Sequence, residues 1–239
     1  EPYRRQRQMC IRDRNERRDH MQFSKRMERL ETSVFSTLDE EKQRYLKQGK
    51  EVYDFTIGSP NIAPSKEIIQ ALIDAAKQPQ SYMYALHDID ELRQTVKKWY
   101  QTRYEVELDA DTEILSLQGS QEGLAHIALA ICDEGDIVLI PSPSYPVFAN
   151  GPKIAGAEIY EMPMREEHEY LIQFDEIPKD IARKAKMMII SYPNNPTGAT
   201  APDAFYEELI RFAKANDIIV LHDTAYSNPV SYTHLTLPT

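Results

Sequence analysis

"KMMIISYPNNPTG", residues 186–198, joins an unbroken apolar run, Met187–Ile190, to a turn dense in Asn, Pro and Gly. A strand with one wet face would alternate apolar and polar residues. This run does not, so it reads as a strand buried on both faces, as in parallel sheets covered by helices. Working outward, "EILSL" (113–117), "DIVLI" (136–140), "AEIYEM" (157–162) and "DIIVLH" (217–222) read the same way. Between most of them lie helical patterns: "EGLAHIALAIC" (122–132), "EIPKDIARKA" (176–185) and "PDAFYEELIRFAKAN" (202–216). Alternating strands and helices predict an α/β domain with a doubly wound, mostly parallel sheet and helices on both faces.

Upstream, "MQFSKRMERL" (21–30) and "LDEEKQRYLKQGK" (38–50) read as short polar helices of a smaller lobe, and "EVYDFTIGSPN" (51–61) as a strand entering a turn. "PSKEIIQALIDAAK" (64–77) places Ile68, Ile69, Leu72, Ile73 and Ala76 on one helical face. "DIDELRQTVKKWYQTRY" (88–104) opens with Asp88 and Glu91, a variant capping box, and is expected to bury Ile89, Leu92, Val96 and Trp99.

The 239-residue chain has 41% apolar residues, enough for a core, and a net charge of −10. That charge argues against attraction to nucleic acid or an anionic membrane surface. No apolar run is long enough for a membrane span, and two cysteines make no disulfide framework, so the expectation is cytoplasmic. The basic start conflicts with this balance. "RRQRQMCIRD" (4–13) and "VSYTHLTLPT" (230–239) can, however, be encoded in frame by complementary DNA strands, and the shared string resembles a sequencing adapter. Residues 1–14 and 230–239 are therefore expected to be non-native tails, Cys10 and His234 included, and the chain a truncated piece. The first tail holds five Arg against Glu1 and Asp13, which leaves −13 on the remainder. The expected organisation is 15–60 as part of the small domain and 61–229 as a partial large domain.

Ligands of open parallel sheets bind beyond the carboxyl ends of the strands. Each unusual polar cluster follows an apolar run: "LQGSQEGL" (117–124), "PSPSYP" (141–146), "SYPNNPTGA" (191–199) and Asp223. Each has an ordinary reading as a turn or cap. Gly119, Ser120 and Gln121 also suit a phosphate, because free N–H groups at a helix start attract an anion and glycine lets the backbone come near.

Together the clusters resemble the fold-type I pyridoxal-phosphate enzymes, the aspartate aminotransferase superfamily. The likeness runs from "DFTIGSPN" (54–61) through "GSQEGL", "PSYP" and "NNPTG" to "HDTAYS" (222–227). "MQFSKRMERLETSVFSTL" (21–38), "FTIGSPN" (55–61) and "SYPNNPTGATAPDAFYEEL" (191–209) are similar to the LL-diaminopimelate aminotransferase group.

The resemblance implies pyridoxal 5′-phosphate as cofactor, a homodimer, and amino-group transfer between an L-amino acid, LL-diaminopimelate among the candidates, and a 2-oxo acid. Asp223 matches the carboxylate that keeps the pyridine nitrogen protonated. Tyr226 and Asn195 match the pair on the ring's phenolic oxygen, and Tyr145 the aromatic residue stacked on the ring. Gly119 and the amides of Ser120 and Gln121 match the phosphate cradle, and Gly58 a position beside the substrate carboxylate. Tyr84, or else Tyr82, matches a hydroxyl reaching the neighbouring subunit's cofactor; Asp88 stands where many relatives have Gly, which leaves the choice open.

The family's catalytic lysine lies beyond the "DTAY" stretch (223–226), and no lysine follows Lys214 here. Lys184, Lys186 and Lys214 are expected at the wrong edge of the sheet, so the chain as it stands is expected to be inactive. A carbon–sulfur β-lyase of the same fold would use the same cofactor grip, and a non-catalytic binding protein is a third reading. A metal hydrolase at His222-Asp223 lacks partner ligands at suitable spacing, and His87, His126 and His168 receive no role.

Overall fold

Met187 and Ile189 face one side of their strand, Met188 and Ile190 the other, and all four are fully buried in the computed structural model. The structure describes residues 24–30, 34–55, 58 and 62–227. The tails expected at 1–14 and 230–239 lie outside the described residues, as do 21–23, 59–61 and Pro229. The chain divides into two compact units, 34–119 and a unit whose described part is 24–30 and 120–227.

The second of these holds the sheet. Its strands are β1 (Ile137–Ser142), β2 (Glu158–Pro163), β3 (Ala185–Ser191) and β4 (Ile219–Asp223), all parallel, in the order β2-β1-β3-β4. Its helices are α1 (Lys25–Glu28), α5 (Ser120–Ile131), α6 (Val147–Ala155), α7 (Lys179–Lys184) and α8 (Asp203–Asn216). On one face Val138, Ile140, Met187 and Ile189 pack with Leu124, Ala128 and Cys132 around α5, and with Val147 and Phe148 of α6. On the other, Leu139, Met188 and Ile190 meet Phe174 and, on α8, Phe205, Leu209 and Ala213. Burying each large side chain contributes roughly 1.5–3 kcal/mol. Two-sided covering explains why β1 and β3 carry no polar alternation. β2 and β4 are a correction: only Met162 of β2 is buried and Ile219 of β4 is 52% exposed, because they lie at the ends of the described sheet.

The chain leaves β1 toward β2 on one side, then crosses to β3 on the other. The carboxyl ends of β1 and β3 therefore flank the point where the winding reverses, the place where open parallel sheets bind their ligands.

"EILSL" is a correction: 113–117 forms no strand, and Leu115 is 81% exposed. A strand needs a hydrogen-bonded neighbour, and the described sheet offers this segment none. Helix α6 escapes the sequence pattern because Gly151 and Pro152 lie inside it. Gly151 has a packing reason to be glycine: an added Cβ would stand 2.6 Å from the Leu124 carbonyl oxygen of α5.

The 34–119 unit contains α2 (Val34–Lys47), α3 (Lys66–Ala76) and α4 (Asp90–Tyr104). Ser65 caps α3 by accepting from Ile68 N–H at 3.5 Å. The capping box expected from Asp88 and Glu91 does not form. Ile89 occupies the cap position without a side-chain bond, and the Asp88 carboxylate accepts from Ser116 N–H at 2.9 Å instead. Residues 51–55 form no strand. The expected burial also fails: Ile68, Ile69, Leu72 and Ile73 of α3, and Ile89, Leu92 and Trp99, are exposed, while Val96 is half-buried. These helices are amphipathic, but their unit alone supplies too little apolar surface to cover them.

Candidate active site

Four segments of the sheet unit carry the polar residues at and beside its carboxyl edge. From the β1 side, Tyr145 begins the approach to α6, and its hydroxyl donates to Gln121 Oε1 at 2.8 Å. Gln121 and Ser120 occupy the first turn of α5, whose leading N–H groups have no intrahelical partners. From the β3 side, Asn195 Nδ2 donates to the Tyr226 hydroxyl at 3.4 Å. Tyr226 follows β4, whose last residue is the half-buried Asp223; one carboxylate oxygen of Asp223 accepts from Ala225 N–H at 3.2 Å.

The loop carrying Asn195 is held from within. Asn194, almost fully buried, accepts through Oδ1 from Thr197 N–H at 3.2 Å and from the Thr197 hydroxyl at 2.8 Å. Its own N–H donates to Ala199 O at 2.9 Å, and Gly198 N–H donates to Asn194 O at 2.8 Å. The X–Pro bonds before Pro143, Pro193 and Pro196 are cis. The end of β1 is tied to β2 by the Ser142 hydroxyl, which donates to Glu161 Oε2 at 3.0 Å.

Two groups that sequence reasoning left without a role stand beside this edge. Burial pushes the Tyr192 phenol up to about 12, and its hydroxyl accepts from Ile172 N–H at 3.1 Å. Burial also holds the His222 imidazole below its ordinary value, opposed by its contact with the Tyr192 carbonyl and by the charge of Asp223. No sequence periodicity distinguishes either residue from strand filler.

The structure thus brings Tyr145 to Gln121 and Asn195 to Tyr226. Gly58, Tyr84 and Gly119 belong to the 34–119 unit and are described within it. Gly119 has φ +84, a conformation glycine adopts without strain, and immediately precedes α5. Tyr84 is 89% exposed, whereas the Tyr82 hydroxyl already donates to Ala76 O at 2.5 Å. Gly58 has open space where a Cβ would stand. Lys184, Lys186 and Lys214 precede or begin their strands, at the sheet's amino edge. Among the described residues no group of three His, Cys, Asp or Glu could hold a metal ion. No helix among them is long and apolar enough to cross a membrane.

A doubly wound parallel sheet with this constellation at its carboxyl edge defines the aspartate aminotransferase-like fold of type I. The family model for aminotransferase class I and II matches residues 50–236, and the chain belongs to that family. It is 43% identical over 208 residues to an LL-diaminopimelate aminotransferase of Halothermothrix orenii, covering 87% of this chain and 54% of the relative. The corresponding enzyme of Aquifex aeolicus is 41% identical, with 86% and 54% covered. Among solved structures, apo BacF from Bacillus subtilis superposes with a TM-score of 0.80 at 33% identity, covering 85% of this chain and 52% of that one. A probable N-succinyldiaminopimelate aminotransferase from Thermus thermophilus gives 0.75 at 34% identity, with 80% and 52% covered. The chain spans about half the length of the curated relatives it matches.

Proposed function

We propose that this chain carries the cofactor-holding part of a pyridoxal-phosphate-dependent aminotransferase that moves an amino group between an L-amino acid and a 2-oxo acid. LL-diaminopimelate is the proposed amino donor, supported by the names of the relatives above 40% identity. The observation that carries the reading is the Asn195–Tyr226 contact beside Asp223 at the sheet's carboxyl edge.

The donor set fits the cofactor. The bound ring would supply an electron-withdrawing system that stabilises negative charge at the substrate's α-carbon. Asp223 would keep the pyridine nitrogen protonated, because a nearby carboxylate favours the cationic form. Asn195 and Tyr226, already joined, would donate to the phenolic oxygen. Tyr145 would offer its ring face to the electron-poor pyridinium. Gly119 and the free amides of Ser120 and Gln121 would receive the phosphate dianion. Gly58 would leave room for the substrate carboxylate, and Tyr84, its hydroxyl less committed than that of Tyr82, would serve the cofactor of a second subunit in a homodimer. In the same reading 15–60 belongs to the small domain and 61–229 to the large one.

Titrating pyridoxal 5′-phosphate into the 239-residue chain tests the site directly. A saturable change in cofactor absorbance that inorganic phosphate competes away is expected; absence of saturation would remove the reading. For the chemistry, a version extended to the relatives' length is incubated with LL-diaminopimelate and 2-oxoglutarate. Glutamate formation supports transamination, whereas pyruvate and ammonia from cystathionine would point to the β-lyase.

A further inference from the structure

The β3–β4 ladder pairs Ile190 with His222 and ends where Ser191 meets Asp223. The His222 side chain reaches past that end: its Nε2 lies 3.3 Å from the carbonyl oxygen of Tyr192, the first residue beyond β3. A carbonyl can only accept, so this contact places the imidazole proton on Nε2. Tyr192 is a firm anchor. Its hydroxyl accepts from Ile172 N–H and donates to Tyr170 O at 3.2 Å, and its ring meets Phe205 edge-on at 5.0 Å. The turn after β4 is closed mostly by its own bonds, Ala225 N–H to Asp223 and Ser227 N–H and hydroxyl to Thr224 O, and the Tyr226 hydroxyl reaches the 192–198 loop through Asn195 at 3.4 Å. β4 also has only one strand neighbour among the described residues.

We propose that His222 is a positioning residue: its Nε2–H bond to the Tyr192 carbonyl fixes the end of β4 against the 192–198 loop. It thereby sets Asp223 and Tyr226 relative to Asn195 for the cofactor ring. What those positions hold rests on the proposed function; the tie itself does not. Packing against Tyr206, whose ring is 5.6 Å away, accounts for the burial of His222 but not for a directional bond.

Two variants separate bond from bulk. His222→Phe keeps a ring of similar size without a donor, and His222→Gln returns an amide donor near the place of Nε2. The first readout needs no cofactor: amide hydrogen exchange on the 239-residue chain, followed by NMR. In His222→Phe the Ala225 amide should exchange about fivefold to tenfold faster, the effect of one lost hydrogen bond, with Met188–Ile190 unchanged. His222→Gln should stay within about twofold of the parent chain on the same scale. The second readout is pyridoxal-phosphate affinity, expected to weaken in the Phe variant and recover in the Gln variant. Wild-type exchange at Ala225 in the Phe variant overturns the proposal, whatever the cofactor does. If the parent chain binds no pyridoxal phosphate, the cofactor reading fails and the exchange readout alone decides the tie. If the Phe variant loses core protection too, His222→Gln decides. Unchanged exchange at Ala225 then supports the tie, and acceleration over an intact core overturns it.

Discussion

Replacing Gly151 by alanine should destabilise the protein, although helix propensity alone predicts the opposite. Alanine in a helix interior is favoured over glycine by about 1 kcal/mol. Here, however, the new Cβ would stand 2.6 Å from Leu124 O and 3.2 Å from both Cα and O of Ala125. All three are backbone atoms of α5, so no side chain can swing aside, and α5 and α6 must separate by several tenths of an ångström. Residue 152 is proline, which disfavours helical backbone at the preceding residue, most of all when that residue bears a Cβ. Overpacking costs roughly 1–3 kcal/mol, and the pre-proline clash offsets much of the propensity gain, so a net loss of about 1–3 kcal/mol is expected. Urea denaturation followed by circular dichroism measures it as a lower midpoint at unchanged slope. The same shift should disturb the Tyr145–Gln121 bond, because α6 follows Tyr145 and α5 carries Gln121. A Gly151→Ala protein as stable as the parent, or more so, would refute the close-approach argument.

Asn194→Ala leaves the Thr197 N–H and hydroxyl without their acceptor and should cost about 1–3 kcal/mol by denaturation; a change under about 0.5 kcal/mol would contradict the loop assignment. Because burial holds His222 below its ordinary value, the unfolded chain binds more protons than the folded one between the two pKa values. Its contribution to stability is therefore present above about pH 6.5 and is lost as pH falls through the lowered value. His222→Gln should flatten that part of the stability–pH curve, and an unaltered curve would remove the assignment. In a version extended to the relatives' length, Asp223→Ala should lower turnover far more than pyridoxal-phosphate affinity, since the phosphate cradle is untouched; equal losses would argue against a carboxylate acting on the ring nitrogen.

Legibility in the sequence followed the physics of burial. Met187–Ile190 declared a two-faced strand because nothing in it could face water, and the structure covers both sides. "EILSL", with three apolar residues in five, forms no strand, because pairing depends on a neighbour and not on the segment itself. The periodicity of α3 and α4 identified them as helices and their apolar faces as faces, but not what covers them. Asn195, Asp223, Tyr226 and Tyr145 stood out because polar groups at strand ends are unusual when everything before them is apolar. Tyr192 did not stand out, and His222 stood out only as a metal ligand without partners. One bond uses a main-chain carbonyl, which every residue has, and the other reaches from Tyr192 to Ile172 across 20 positions.

The candidate site rests on two separate supports. Gln121 and Tyr145 are set by how closely α5 and α6 approach at Gly151, within the cluster that contains Val138 and Ile189. Asn195 and Tyr226 are placed by the Tyr192 anchor and, in the proposal above, the His222 tie; Tyr192 belongs to the cluster on the opposite face with Leu139 and Ile190, whereas Asp223, two positions after Leu221 in β4, lies on the α5–α6 face. A parallel sheet makes this division possible: its strands end together, while alternate side chains belong to different helix layers. Disturbing one layer should therefore shift one group of residues while the sheet holds the other. In the proposed reading, binding of the phosphate would be governed from the α5–α6 side, and alignment of the ring from both sides, through Asp223 on one and the Tyr192 anchor on the other.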